Sequence, residues 1–171
     1  MIVHEGGCLC GAVRYEVEGA PLRVTVCHCR FCQRATGSAY MVEPVFRQAD
    51  LRITRGLPKV YDLRSQGSGK LVHVHFCAAC GTKLYLAFER FAEAFGVYAG
   101  TFDDPDWFEI DPATAKHVFI DVARRDTILP PGIACFGEHA ILNDGTPRQP
   151  VRFGRPQPVG GRDAPADPDA P

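Results

Sequence analysis

The amino-acid sequence predicts a mainly β fold of short antiparallel strands with one or two short helices. Short runs rich in β-favouring residues recur along the chain, and turn formers punctuate them: 17 Gly and 14 Pro in 171 residues. So many turn formers make turns frequent and argue against long helices. Together these point to an all-β layered domain.

The elements follow in order. Ala12–Val17 alternates apolar and polar residues, as a half-buried strand does. Val24–Cys27 is a short β run. Tyr40–Phe46 and Leu51–Thr54 come next, with Pro44 marking an edge or a bulge. Lys59–Leu63 and Leu71–Phe76 are separated by the flexible turn Ser65–Gly69. Thr82–Phe88 alternates again, and Val97–Thr101 and Val118–Val122 complete the expected strands. The helical candidates are a turn or two at Arg30–Thr36 and at Arg90–Phe95. Residues 1–154 read as one domain. From Arg155 to Pro171 the chain has five Pro and a single sizeable apolar side chain, Val159. Such composition cannot bury enough surface to offset the entropy of ordering, so a disordered Pro-rich tail is expected there.

Composition excludes some function classes. Lys plus Arg is 19 and Asp plus Glu is 20, a net charge of −1, which gives no long-range attraction to nucleic acid or anionic lipid. No apolar run approaches the roughly 20 residues that span a bilayer. The first residues lack the basic and apolar regions of a secretory signal, so a cytoplasmic protein is expected. In a reducing compartment clustered cysteines bind metal more readily than they pair as disulfides.

The chain has 8 Cys, and all but Cys135 fall into three groups. Cys8 and Cys10 lie among Gly6, Gly7 and Gly11. Cys27, Cys29 and Cys32 form a second group, and Cys77 and Cys80 a C-x-x-C turn followed by Gly81. A C-x-x-C turn presents two sulfurs to one metal, and a following Gly lets backbone N–H groups turn toward them. Cys8 and Cys10 are the natural second pair, which closes a four-thiolate site of structural type. The middle group then supplies three ligands and leaves a fourth position open, the arrangement of a catalytic zinc. Thiolates favour zinc over magnesium or calcium, and an iron–sulfur cluster suits a three-plus-four division poorly.

The segments GGCLCGAVRYEV, CHCRFCQRATGSAY and HFCAACGTKLY, with ITRGLPKVYDL between them, resemble the glutathione-dependent formaldehyde-activating enzymes. That family shares its domain with centromere protein V. The resemblance covers about residues 4–122. It implies a tent-like, zinc-stabilised β fold and a carbon–sulfur lyase run in reverse, joining formaldehyde and glutathione as S-hydroxymethylglutathione. Carried over residue by residue, it implies structural zinc ligands Cys8, Cys10, Cys77 and Cys80 and catalytic zinc ligands Cys27, Cys29 and Cys32. It also implies a small thiol or glutathione adduct as partner, with neither nucleic acid nor membrane. Glutathione is anionic, and Arg30 and Arg34, beside the second cluster, are the nearest candidates to hold its carboxylates.

Other residues carry weaker expectations. His28, between two ligands, is a general acid–base, a fourth zinc ligand or, more simply, a side chain fixed by the turn. His73 and His75 share one strand face. His117 and His139 carry no role. Cys135 reads as a small buried hydrophobe and Phe31 as core. Two alternatives to an enzyme follow. One is a zinc-stabilised module that binds another protein, its second site closed by His28, Cys135 or another side chain. The other is a nucleic-acid-binding zinc ribbon, which the charge balance disfavours.

Overall fold

The computed structural model describes residues 2–160, and the fold is mainly β with antiparallel sheets. In chain order the strands are β1 (Val3–Gly7), β2 (Arg14–Glu18), β3 (Arg23–Cys27), β4 (Met41–Arg47), β5 (Leu51–Arg55), β6 (Lys59–Arg64) and β7 (Leu71–Phe76). They continue as β8 (Lys83–Phe88), β9 (Ala94–Val97), β10 (Lys116–Val118), β11 (Thr127–Leu129), β12 (Ala134–Cys135) and β13 (Gln157–Val159). Among the described residues there is one α-helix, α1 (Arg30–Thr36), after β3. The chain divides into two compact units. Among the described residues, the first holds those up to Arg23, Glu43–Ser65 and Gly69–Glu109; the second holds Val24–Val42, Gln66–Ser68 and those from Ile110 to Gly160.

In the first unit β1, β2 and β5 form an antiparallel sheet in that order. The alternation of β2 works as expected: Tyr15 and Val17 are buried while Arg14, Glu16 and Glu18 stay partly exposed. The register slips between Arg14 and Tyr15, opposite β5. The unit's second ladder runs β4–β9–β8–β7–β6, antiparallel throughout. Pro44 lies in β4 just before the residues that pair with β9, so its missing N–H costs that ladder nothing. The core joins both sets of strands through Tyr15, Val17, Phe46, Leu84, Phe95, Val97 and Phe102, with Cys8 and Cys77 among them.

In the second unit β10 pairs in parallel with β3 and with β12: Lys116 faces Thr25, His117 faces Val26 and Val118 faces Cys27. These parallel pairs depart from the antiparallel expectation. Pairing β3 with a strand some 90 residues later leaves no local signal in the sequence. β11 and β13 form an antiparallel pair, with Thr127 opposite Val159 and Leu129 opposite Gln157.

Four expectations need correction. Gln157–Val159 lies inside the span read as a tail, yet it is a strand; backbone pairing with β11 orders it despite its few apolar side chains. Residues 161–171 lie outside the described residues. Arg90–Phe95 is not helical: a turn leads into β9, all four of whose residues are buried, so no alternation marks it as a strand. Val97–Thr101 leaves the strand at Val97 and ends in a 3-10 turn at Ala99–Thr101. Val118–Val122 likewise leaves β10 at Val118, passes Phe119 at φ 59° and becomes a 3-10 turn. A left-handed aromatic residue is uncommon, and no propensity scale anticipates it.

Candidate metal centres

Two turns of the first unit build the first centre. After β1, Cys8 N–H donates to Val13 O at 3.0 Å, Gly11 N–H to Cys8 O at 3.0 Å, and Val13 N–H to the Cys8 sulfur at 3.2 Å. Between β7 and β8, Cys77 N–H donates to Thr82 O at 2.9 Å and Gly81 N–H to Cys77 O at 2.8 Å. Gly81 sits at φ 74°, a conformation in which a side chain would be strained. Leu9 N–H donates to Thr82 Oγ1 at 3.2 Å and ties the two turns together.

The sulfurs of Cys8, Cys10, Cys77 and Cys80 lie within 4.8 Å of one another. Cys8 and Cys10 are 3.6 Å apart, and Cys10 and Cys77 are 3.8 Å apart. The Thr82 hydroxyl, then the Thr82 and Cys10 backbone amides, pull the Cys80 thiol down to about 5. At Cys10 the Ala12 amide lowers the pKa, but the neighbouring thiols of Cys8 and Cys80 outweigh it and push it up to about 11. Donors aimed at sulfur favour charge there, while crowding of the four opposes it. A cation held among the four would resolve the conflict.

The second centre lies wholly in the second unit. Cys27 ends β3, Cys29 caps α1, and Cys32 lies in the first helical turn. Cys29 Sγ accepts the Cys32 N–H at 3.3 Å, and Gly37, left-handed at φ 67°, closes the helix after two turns. The three sulfurs lie within 4.8 Å of one another and all three residues are buried. At Cys27 the hydrogen bond with Cys29, and at Cys32 the hydrogen bonds with Cys27 and Cys29, together with burial, hold the thiols well above their ordinary range. Three buried sulfurs this close become thiolates only with a cation among them.

His28 lies between Cys27 and Cys29, is 0% exposed, and is not one of the converging donors. Its Nε2 lies 3.0 Å from Nδ1 of His117, which is also buried. Burial, then the neighbouring His117, lowers His28 to about 4; burial lowers His117 too. Nothing in the sequence near His117 marks it as part of this site. The β10–β3 pairing brings it here, and the only sequence trace of that is a His at the head of an apolar run.

The remaining candidates fall elsewhere. Cys135 is buried, donates to Ile133 O at 3.4 Å and joins neither cluster; burial pushes its thiol up. His73 lies 2.6 Å from Asp62, and His75 stacks on Tyr85 at 4.1 Å. His139 Nδ1 accepts the Ile141 N–H. Arg30 and Arg34 are both exposed on α1, and Arg30 donates to Gln33 Oε1. Phe31 is only half-buried. No helix among the described residues is long and apolar enough to cross a membrane.

Residues 3–121 match the family model described as glutathione-dependent formaldehyde-activating enzyme. A protein of Halomonas elongata named for the same family is 26% identical over 134 residues, which cover 67% of this chain and 85% of that protein. A crystal structure of a Rhodobacter sphaeroides protein aligns with a TM-score of 0.47 at 27% identity, over 58% of this chain and 87% of that one.

Proposed function

From the chain's membership of the glutathione-dependent formaldehyde-activating enzyme family, we propose that it is a cytoplasmic, zinc-dependent carbon–sulfur lyase-type enzyme. Its substrate is a glutathione or related thiol adduct of an aldehyde, with S-hydroxymethylglutathione formed from formaldehyde as the family reaction. Each cysteine cluster holds one zinc. A tetrahedral zinc with bonds of about 2.3 Å to sulfur spaces its ligands by about 3.8 Å. The 3.6 Å and 3.8 Å separations at Cys10 match that spacing. Cys8, Cys10, Cys77 and Cys80 fill such a shell and leave no position for a substrate.

One observation carries the functional reading. At Cys27, Cys29 and Cys32 three sulfurs converge, and among the described residues no fourth His, Cys, Asp or Glu donor joins them. A fourth position is thereby left to an external thiol, against the closed-site module in which His28 or Cys135 fills it. When bound there, zinc supplies a Lewis acid that keeps a thiol ionised at neutral pH.

The chain's own groups set the rest. Cys27, Cys29 and Cys32 as three thiolates would hold a dication at a net charge of about −1, which would disfavour a further anion and so limit how tightly a fourth thiolate is held. Arg30 and Arg34, one helical turn apart, face solvent where the carboxylates of glutathione can meet them. In the reaction the thiol sulfur bonds to the aldehyde carbon, and the thiol's proton ends on the former carbonyl oxygen. No electrons are exchanged.

Cobalt substitution tests the reading. Thiolate charge-transfer and ligand-field bands report the number of sulfur ligands. Glutathione at millimolar concentration should change the bands of the second site from three sulfurs to four. Bands that ignore glutathione and several other thiols would defeat the enzyme reading and support the closed module.

A further inference from the structure

We propose that His117 is a positioning residue for the Cys27, Cys29 and Cys32 metal site, acting through His28. This rests on the reading that those three sulfurs hold a metal.

His28 is the residue on which the Cys-His-Cys turn is hung. Its backbone N–H donates to Val118 O at 3.0 Å. Its carbonyl accepts from Gln33 Nε2 at 2.6 Å, and the same amide reaches Val122 O at 3.1 Å. Its ring meets His117 at 3.0 Å. The first two bonds set the backbone between the two cysteines. The third stops rotation of the side chain about its own bonds. Tyr40 lies beside the ring, with centroids 5.2 Å apart, and offers packing without a direction. The Nε2–Nδ1 hydrogen bond supplies the direction, because one ring must donate and the other accept. Cys27 and Cys29 flank this anchored residue, so the aim of their sulfurs follows from its placement.

Stability alone gives no reason for such a pair. The outer nitrogens, Nδ1 of His28 and Nε2 of His117, are buried without a protein partner. Two apolar rings of the same shape would avoid that cost. The pair sits where it can act on the neighbouring sulfurs: His28 is covalently joined to Cys27 and Cys29, and fixing its ring fixes the turn that aims them, a role like that of groups bonded directly to metal ligands but one residue further out.

Three variants of the full chain separate direction from packing. His117→Asn places an amide where Nδ1 now sits. His117→Gln places it near Nε2 instead, and His117→Phe keeps only the ring. The measurement is zinc affinity by chelator competition, with the cobalt spectrum as a second readout. The Gln and Phe variants should lose about tenfold at the second site, the low end of the span for groups bonded directly to a ligand, because His117 acts through His28. The first site should hold its metal unchanged. The Asn variant should recover the affinity and the spectrum. Wild-type affinity in the Gln and Phe variants overturns the proposal, and so does an equal loss in all three. A wild-type protein that binds one metal overturns the metal reading and this proposal together. Two metals with an indifferent His117 overturns this one alone.

Discussion

Cys10 Sγ lies 3.8 Å from Cys77 Sγ across 67 residues of chain. That contact joins the turn after β1 to the turn before β8, and within the first unit it cross-links two sheets. A structural zinc contributes roughly 10–16 kcal/mol of apparent binding energy, as much as the whole stability of a typical domain, about 5–15 kcal/mol. Cys77→Ser should therefore yield insoluble protein or a first unit cut rapidly by protease. Chelation of the wild type should do the same. A soluble variant with an unchanged melting temperature sinks the structural assignment.

Cys29→Ser should behave differently. Cys27, Cys29 and Cys32 lie within one turn of chain, so their metal closes only a local loop. Serine is also a good N-cap, and its oxygen can accept the Cys32 N–H that the Cys29 sulfur accepts now. The variant should keep its fold and α1 while metal analysis shows one equivalent lost. Unfolding as severe as that of Cys77→Ser would show that the two clusters do not divide into structural and catalytic roles.

The cysteine groups are legible in the sequence because each turn that presents them is local, although the convergence of Cys8 and Cys10 with Cys77 and Cys80 spans some 67 residues. Cys77 through Thr82 closes by short-range bonds, as does Cys8 through Val13. Strands with one buried face, such as β2, were legible for the same reason: alternation records burial. β9 carries no such alternation, because all four of its residues are buried. β13 owes its order to β11, and no side-chain pattern announces a backbone partner. The relation of His117 to His28 exists only once β10 lies parallel to β3. Long-range pairing of this kind leaves no periodicity to read.

Gly96 offers a test of packing in the first unit. It lies in β9 opposite Val45 of β4. A Cβ built there would collide with Cγ, Cδ and Oε1 of Glu43, whose side chain is buried. Gly96→Ala should cost about 1–3 kcal/mol, the usual range for overpacking, and lower the melting temperature by several degrees. Adding Glu43→Ala removes the colliding atoms, so the double variant should be more stable than the sum of the two single effects predicts. Additive effects in thermal unfolding would show that the two residues do not press on each other.

The pH dependence of thiol binding tests the proposed chemistry. A free thiol with a pKa near 8.5 must ionise to enter a metal site. At pH 7 nearly every glutathione is protonated, so binding should release about one proton, read by calorimetry in buffers of different ionisation enthalpy. The sign is fixed: affinity should rise about tenfold per pH unit up to about 8.5 and level off above it, where the thiolate is already formed. Replacing both Arg30 and Arg34 with Ala should weaken glutathione several-fold and leave a neutral thiol unchanged. The effect stays small because both arginines are exposed and salt screens them. The slope belongs to the thiol's own ionisation, so the double variant should keep it while losing affinity. A glutathione affinity that is flat from pH 6 to 8, with no proton released, would mean that the sulfur never reaches the metal.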